Sequence, residues 1–185
     1  MLMASSCFSR HSSALFPGWL LAMLFAGAIN STYGSETHTD PEGLVTFRIP
    51  DAWVLQSDSH GMRFRRSDSN ERTVLSVTPR MGRGEENLEQ LRSTRLSQVR
   101  SQSREVATDT VSSLNGFTVW EFVVRPGADG RGAISHSLHL LSPDLHIQIM
   151  LIAEPDRYAG YVADLRAVAD SVQTGAGAPR IKPAN

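Results

Sequence analysis

Apolar and polar residues alternate along several stretches of the chain, and the alternation predicts strands. Val45, Phe47 and Ile49 interleave with Thr46 and Arg48, so the spacing predicts a strand over Leu44 to Ile49. Pro50 cannot donate to a ladder and ends it, after which Trp53, Val54 and Leu55 restart the chain against the same core. Met62 and Phe64 share one face of the next stretch, and Arg63 and Arg65 share the other. The turn-forming cluster from Ser67 to Glu71 separates it from a further strand beginning at Thr73, a hairpin signal. These first three strands are expected to form an antiparallel meander.

The period then changes. Leu88, Leu91, Leu96 and Val99 fall within an arc of about 140° on a helix, and Glu85, Glu86 and Glu89 occupy its first turns, where acids suit the helix dipole. Arg92 and Arg95 lie inside the same arc, with their stems expected on apolar surface and their heads in water. Three more strands follow, Phe117–Arg125, Ala133–Leu141 and Leu145–Ala153. If Pro143-Asp144 makes a tight turn, Leu140 faces Ile147, Leu138 faces Ile149 and His136 faces Leu151. The opposite face carries His139, Leu141, His146, Gln148 and Met150. A sheet with apolar residues on both faces is usually covered on both. The second cover is a helix opened by Pro155, with Tyr158, Tyr161, Val162, Leu165, Val168, Ala169 and Val172 in a stripe about 120° wide.

The chain has 185 residues, and its first 34 read as a removable export signal and its cleavage region. Arg10 and His11 precede a short apolar run from Ala14 to Ile29, with cleavage expected after Ala28 or Gly34. The run is shorter than the roughly 20 apolar residues of a membrane span, so no stable span is expected after cleavage. Cys7 is the single cysteine and precedes the run. The mature chain therefore lacks disulfides, thiol catalysis and cysteine metal sites. Residues 35–43 read as a flexible leader, 44–173 as a single domain and 174–185 as a disordered tail. This places the protein in the periplasm or outside the cell.

Net formal charge is −1, which makes no case for nucleic acid, but the charge is uneven. From Arg63 to Arg104 ten arginines stand against five acids, and from Glu105 to Asp170 nine acids stand against four arginines. Arg63, Arg65, Arg80 and Arg83 bracket the predicted hairpin and are the candidate partner-binding residues, because guanidinium groups match carboxylate or phosphate in a bidentate way. The alternative site is His139 with His146, diagonal on one face of a hairpin beside Asp144. Two imidazoles and a carboxylate can ligate a divalent ion, although diagonal neighbours are about 7–8 Å apart across strands. His136 reads as a hydrogen-bonded core residue, and His60 as a loop residue. Trp53 and Trp120 could form a stacking platform but fit a core better. There is no G-x-S-x-G elbow and no phosphate loop, and the acids of the first helix belong to a solvated surface. No catalytic residue and no cofactor is expected.

Four segments carry a resemblance: FRIPDAW, LEQLRSTRLSQV, LNGFTVWEFVV and the closing EPDRYAGYVADLRAVADSV. Their order resembles the PsbP-like superfamily, which includes the DcrB-like bacterial envelope proteins. The resemblance spans Leu44 to Gln173 and implies an α+β fold, an antiparallel β-sheet flanked by helices as an α/β/α sandwich. It also implies a non-catalytic accessory, assembly or interaction protein with an envelope protein as partner. The alternative is a small-ligand or metal-binding module built on the face around His139 and His146.

Overall fold

The computed structural model describes residues 34–57, 61–68, 73–82, 87–128 and 130–175. Residues 1–33, which hold nearly all of the expected export signal, His60, Arg83, Glu85, Glu86 and the residues from 176 on lie outside the described residues. In chain order the elements are β1 (Ser35–Thr39), β2 (Val45–Pro50), β3 (Trp53–Ser57), β4 (Met62–Arg66), β5 (Val74–Met81), α1 (Leu88–Ser101), β6 (Glu105–Leu114), β7 (Phe117–Arg125), β8 (Ile134–Leu141), β9 (Leu145–Ala153), α2 (Pro155–Ser171) and β10 (Gln173–Thr174). A large sheet runs β3-β4-β5-β9-β8-β7-β6, and a small one runs β1-β2-β10. Every strand pair is antiparallel.

The β8–β9 hairpin closes at Ser142 to Leu145 with the expected register: Leu140 opposite Ile147, Leu138 opposite Ile149, His136 opposite Leu151. The meander needs a correction. Its three strands are β3, β4 and β5, whereas β2 leaves the large sheet and pairs with β1 and β10. Pro50 and Asp51 separate the two sheets, so Val45, Phe47 and Ile49 face the core from a second layer.

The flexible leader is also corrected in part. Ser35 to Thr39 pair with Pro50 to Thr46, all of β2 but Val45, and the His38 ring lies 5.0 Å from that of Phe64. Strand β1 exposes most of its side chains, so the bonds that hold it are those of its backbone. Asp40 then turns the chain, its buried carboxylate accepting from the backbone N–H of Glu42 and Val45. At the other end Gln173 and Thr174 pair with Thr46 and Val45, which extends the ordered domain past residue 173.

Strand β6 was not predicted. It forms a hairpin with β7 through Asn115-Gly116, whose φ values of 51° and 84° are both left-handed, as a two-residue type I′ turn requires.

Helix α2 packs against one side of the large sheet and against β2. Its stripe works as the spacing predicts: Tyr161, Leu165, Val168 and Ala169 are buried among Phe47, Ile49, Phe64, Leu75, Ile147 and Ile149. Helix α1 covers part of the other side, where Val99 with half-buried Leu88, Leu91 and Leu96 meets Trp120, Phe122 and Val124.

Candidate functional site

The registers lay out the α1 side of the large sheet as four rows running across the strands. The first is Arg65, Val74, Ile152, Ser135, Val124, Val106. The second is Arg63, Ser76, Met150, Ser137, Phe122, Asp109; the third is Thr78, Gln148, His139, Trp120, Val111. The fourth is Arg80, His146, Leu141, Thr118, Ser113. The first, second and fourth rows begin with an arginine at β4 or β5, and the first three carry Val124, Phe122 and Trp120 on β7, where Val99 of α1 packs.

Arg63, Arg65 and Arg80 share this side and are exposed. They do not converge. Arg63 lies opposite Ser76, and Arg80 is four residues further along β5, about 13 Å away at a strand's rise. The described part of this half, β4, β5 and β9, brings no Asp or Glu to the same side. The three guanidiniums therefore form a dispersed basic face, with Val54 of the edge strand β3 exposed beside Arg65.

His139 and His146 meet directly. His139 Nδ1 lies 2.9 Å from His146 Nε2 with the ring centroids 5.2 Å apart, so the two imidazoles meet edge to edge through these nitrogens, closer than a diagonal backbone separation suggests. The Trp120 indole stacks on His139 at 4.7 Å. Burial pushes the His139 imidazole down to about 3, helped by His146 and the Arg95 charge. Burial also lowers His146, to about 4, with Arg80 and Arg95 adding to it. Both rings are neutral at pH 7, and one N–H···N bond joins them. Among the described residues no group of three or more His, Cys, Asp or Glu is placed to hold a metal ion.

Trp120 is held by a carboxylate that sequence reasoning did not single out. Its Nε1 donates to Asp109 Oδ1 at 2.8 Å, and Arg92 donates to both Asp109 oxygens from Nε and Nη2. The bond from Arg92 holds Asp109 below the usual carboxylate range, and Trp120 adds to this. The expectation of a wet Arg92 head is thus corrected. The helix arc that places Arg92 beside Leu88 and Leu91 also aims it at β6, where Asp109 waits. Trp53 has the same arrangement on the α2 side: Nε1 donates to Asp164 Oδ2 at 2.8 Å, Arg66 Nη1 donates to the same oxygen, and the Arg66 guanidinium lies over the Tyr161 ring at 4.7 Å. Both tryptophans are buried, so neither is a stacking platform.

His136 is a core residue, as expected. Its Nδ1 lies 2.9 Å from Tyr158 Oη, and its Nε2 lies 2.9 Å from Glu121 Oε1 without the alignment of a hydrogen bond. Burial lowers its affinity for a proton, and Glu121 opposes that. Glu121 also accepts from Arg166 of α2 at 2.8 Å. No helix among the described residues is long and apolar enough to cross a membrane.

Solved structures with this arrangement differ widely in sequence. The cyanobacterial PsbP (CyanoP) of Synechocystis sp. PCC 6803 matches with a TM-score of 0.54 at 16% identity, over 82% of this chain and 98% of that one. A structure from Bacteroides thetaiotaomicron matches at 0.55 and 11% identity, over 77% of this chain but only 48% of that one. LpqN, involved in cell envelope biogenesis of Mycobacterium tuberculosis, matches at 0.50 and 9% identity, over 77% and 91% of the two chains. No family model and no curated protein matches the sequence. At these identities the likeness is one of architecture, and the chain has a PsbP-like α+β fold.

Proposed function

We propose that this chain is an exported, non-catalytic accessory protein that docks an acidic partner protein on its α1-side arginine face. The observation that carries the reading is the single sign of charge on that face: Arg63, Arg65 and Arg80 stand exposed on paired strands whose described residues bring no carboxylate to the same side. Fixed cations on a flat sheet steer and register an acidic surface. Asp109 and Asp164 each hold a tryptophan and an arginine, and His136, His139 and His146 each meet a side-chain partner. The N-terminal segment with its signal layout supports export, and the fold shared with LpqN, a protein involved in cell envelope biogenesis, is consistent with a place in the envelope.

The test is capture from an envelope fraction, comparing the wild-type chain with Arg63→Glu/Arg65→Glu/Arg80→Glu at matched circular dichroism. A captured protein with an acidic surface should be lost from the triple variant and weaken with added salt. Equal capture by both, or a salt-insensitive partner, overturns the arginine-face reading.

A metal-binding module at His139 and His146 is a second reading, supported by their 2.9 Å approach. Tetrahedral bonds of about 2.0–2.1 Å would require the two nitrogens to part slightly. Zinc calorimetry on the wild type and on His139→Ala/His146→Ala tests it, and heat indistinguishable between the two removes it.

A further inference from the structure

Helix α1 does not lie flush on the sheet. Between its C-terminal half and strands β8 and β9 runs a cleft of about 240 Å³, with Ser137, His139, Gln148 and Met150 along its sheet side and Arg95 on its helix side. The cleft adjoins a broader basin of about 700 Å³ that reaches the β7–β8 connection, and Gln102, Arg104 and Ser135 border both. This space is separate from the exposed arginines of β4 and β5, none of which lines it.

Its lining combines two properties. Arg95 and Arg104 border the cleft and Arg131 borders the basin, while among the described residues no Asp or Glu lines either. Apolar surface stands beside these cations, from Phe122, Val124, Val99 and Met150. Arg95 Nη1 donates to Gln98 Oε1 at 3.2 Å, and Arg104 Nη2 donates to the Ala133 carbonyl at 2.8 Å. The Arg95 charge reaches the cleft, since it helps to hold both His139 and His146 deprotonated. Positioned cations beside partly dehydrated apolar walls attract an anion more strongly than exposed cations do. A guanidinium presents its N–H groups in a fork that suits a carboxylate. The cleft lies below the range of about 300–1,000 Å³ typical of drug-sized pockets, so with the basin it suits a slender ligand and not a bulky one.

We propose that this cleft binds a small amphiphilic carboxylate, its head between Arg95 and Arg104 and its apolar body against Phe122, Val124 and Met150. The proposal goes beyond partner docking and stands or falls independently of it.

Calorimetry on the whole chain with decanoate, decan-1-ol and inorganic phosphate tests it. Decanoate should bind one to one, with the neutral alcohol and phosphate each weaker by about tenfold or more, the scale of one charge-assisted hydrogen bond. Arg95→Gln/Arg104→Gln should weaken decanoate by a similar factor, whereas Arg63→Glu/Arg65→Glu/Arg80→Glu should leave it unchanged. Because Arg104 also ties down the Ala133 carbonyl, Ser137→Leu supplies a second route: it fills the cleft, keeps the arginines, and should abolish binding. Absence of decanoate heat, equal affinity for the alcohol, or undiminished binding by the folded Arg95→Gln/Arg104→Gln or Ser137→Leu variants overturns the proposal.

Discussion

The two sides of the large sheet use one device in opposite directions. On the α2 side the helix supplies the carboxylate: Asp164 accepts from Trp53 Nε1 of β3 and Arg66 Nη1 of β4. On the α1 side the sheet supplies it: Asp109 of β6 accepts from Trp120 Nε1 of β7, and the helix contributes Arg92. Each arrangement satisfies a buried indole donor and neutralises a charge while fastening a helix to strands. Around this common fastening the sides differ. The α2 side is closed by a continuous apolar cluster that also engages β2, whereas the α1 side has a four-residue buried cluster with half-buried leucines around it. The difference teaches that α2 and β2 anchor the fold, and that the α1 side has polar surface available for recognition.

The sharpest way to break this comparison is to truncate one apolar side chain on each side. Leu165→Ala, at a fully buried position of α2, should cost about 4 kcal/mol in urea unfolding, whereas half-buried Leu96→Ala in α1 should cost less than about 1.5. Equal losses would show that the two sides contribute alike.

Acid should expose the other side's weakness next. His139 and His146 are held at about 3 and about 4, below the roughly 6.5 of an unfolded imidazole. The unfolded chain therefore binds more protons between those values, so the stability they contribute is full above about pH 6.5 and is lost as pH falls toward 4 and then 3. With the partly exposed His146 discounted for solvent screening, unfolding at pH 4.5 should require about 3 kcal/mol less than at pH 7. His139→Leu/His146→Leu should flatten that slope, and an unchanged slope would assign it to other groups.

Removing the carboxylates compares the two fastenings directly. Asp109→Ala leaves the Nε1 of fully buried Trp120 without its acceptor and Arg92 without its bidentate partner, which should cost about 2 kcal/mol. Asp164→Ala should cost about 1 kcal/mol, because Arg66 keeps its two bonds to Asp68. The smallest effect belongs to the arginine face: Arg63→Glu/Arg65→Glu/Arg80→Glu should change stability by only about 0.5 kcal/mol per site, as exposed substitutions do. A larger thermal shift would mean these side chains hold the sheet together.

The most legible part of the chain was the β8–β9 hairpin, where a short turn and strict alternation leave one register that buries the apolar set. The α2 stripe was legible for the same reason with a helical period. Strands β1, β6 and β10 were not. All three lie on sheet edges and expose most of their side chains, so the hydrophobic pattern has little to report. For β6 a signal did exist: the Asn115-Gly116 turn after a stretch rich in Val106, Thr108, Thr110 and Val111. Of the candidate site, alternation placed Arg63 with Arg65 on one face of their strand and His139, His146 and Gln148 on one face of the β8–β9 hairpin, whereas the β5–β9 pairing decided that the two faces coincide. The cleft could not be foreseen, because it depends on how high α1 rides above the strands.

The sequence by itself determined the two helices, the strands with an apolar face and the side to which each residue points, because period and turn chemistry are local. Only the tertiary structure decided which partner each polar group meets: Arg92 with Asp109, Trp53 with Asp164, His139 with His146, and β2 with β1 and β10. Such pairings join residues that local pattern leaves unrelated, since a hydrogen bond is set by distance in space and not by position along the chain.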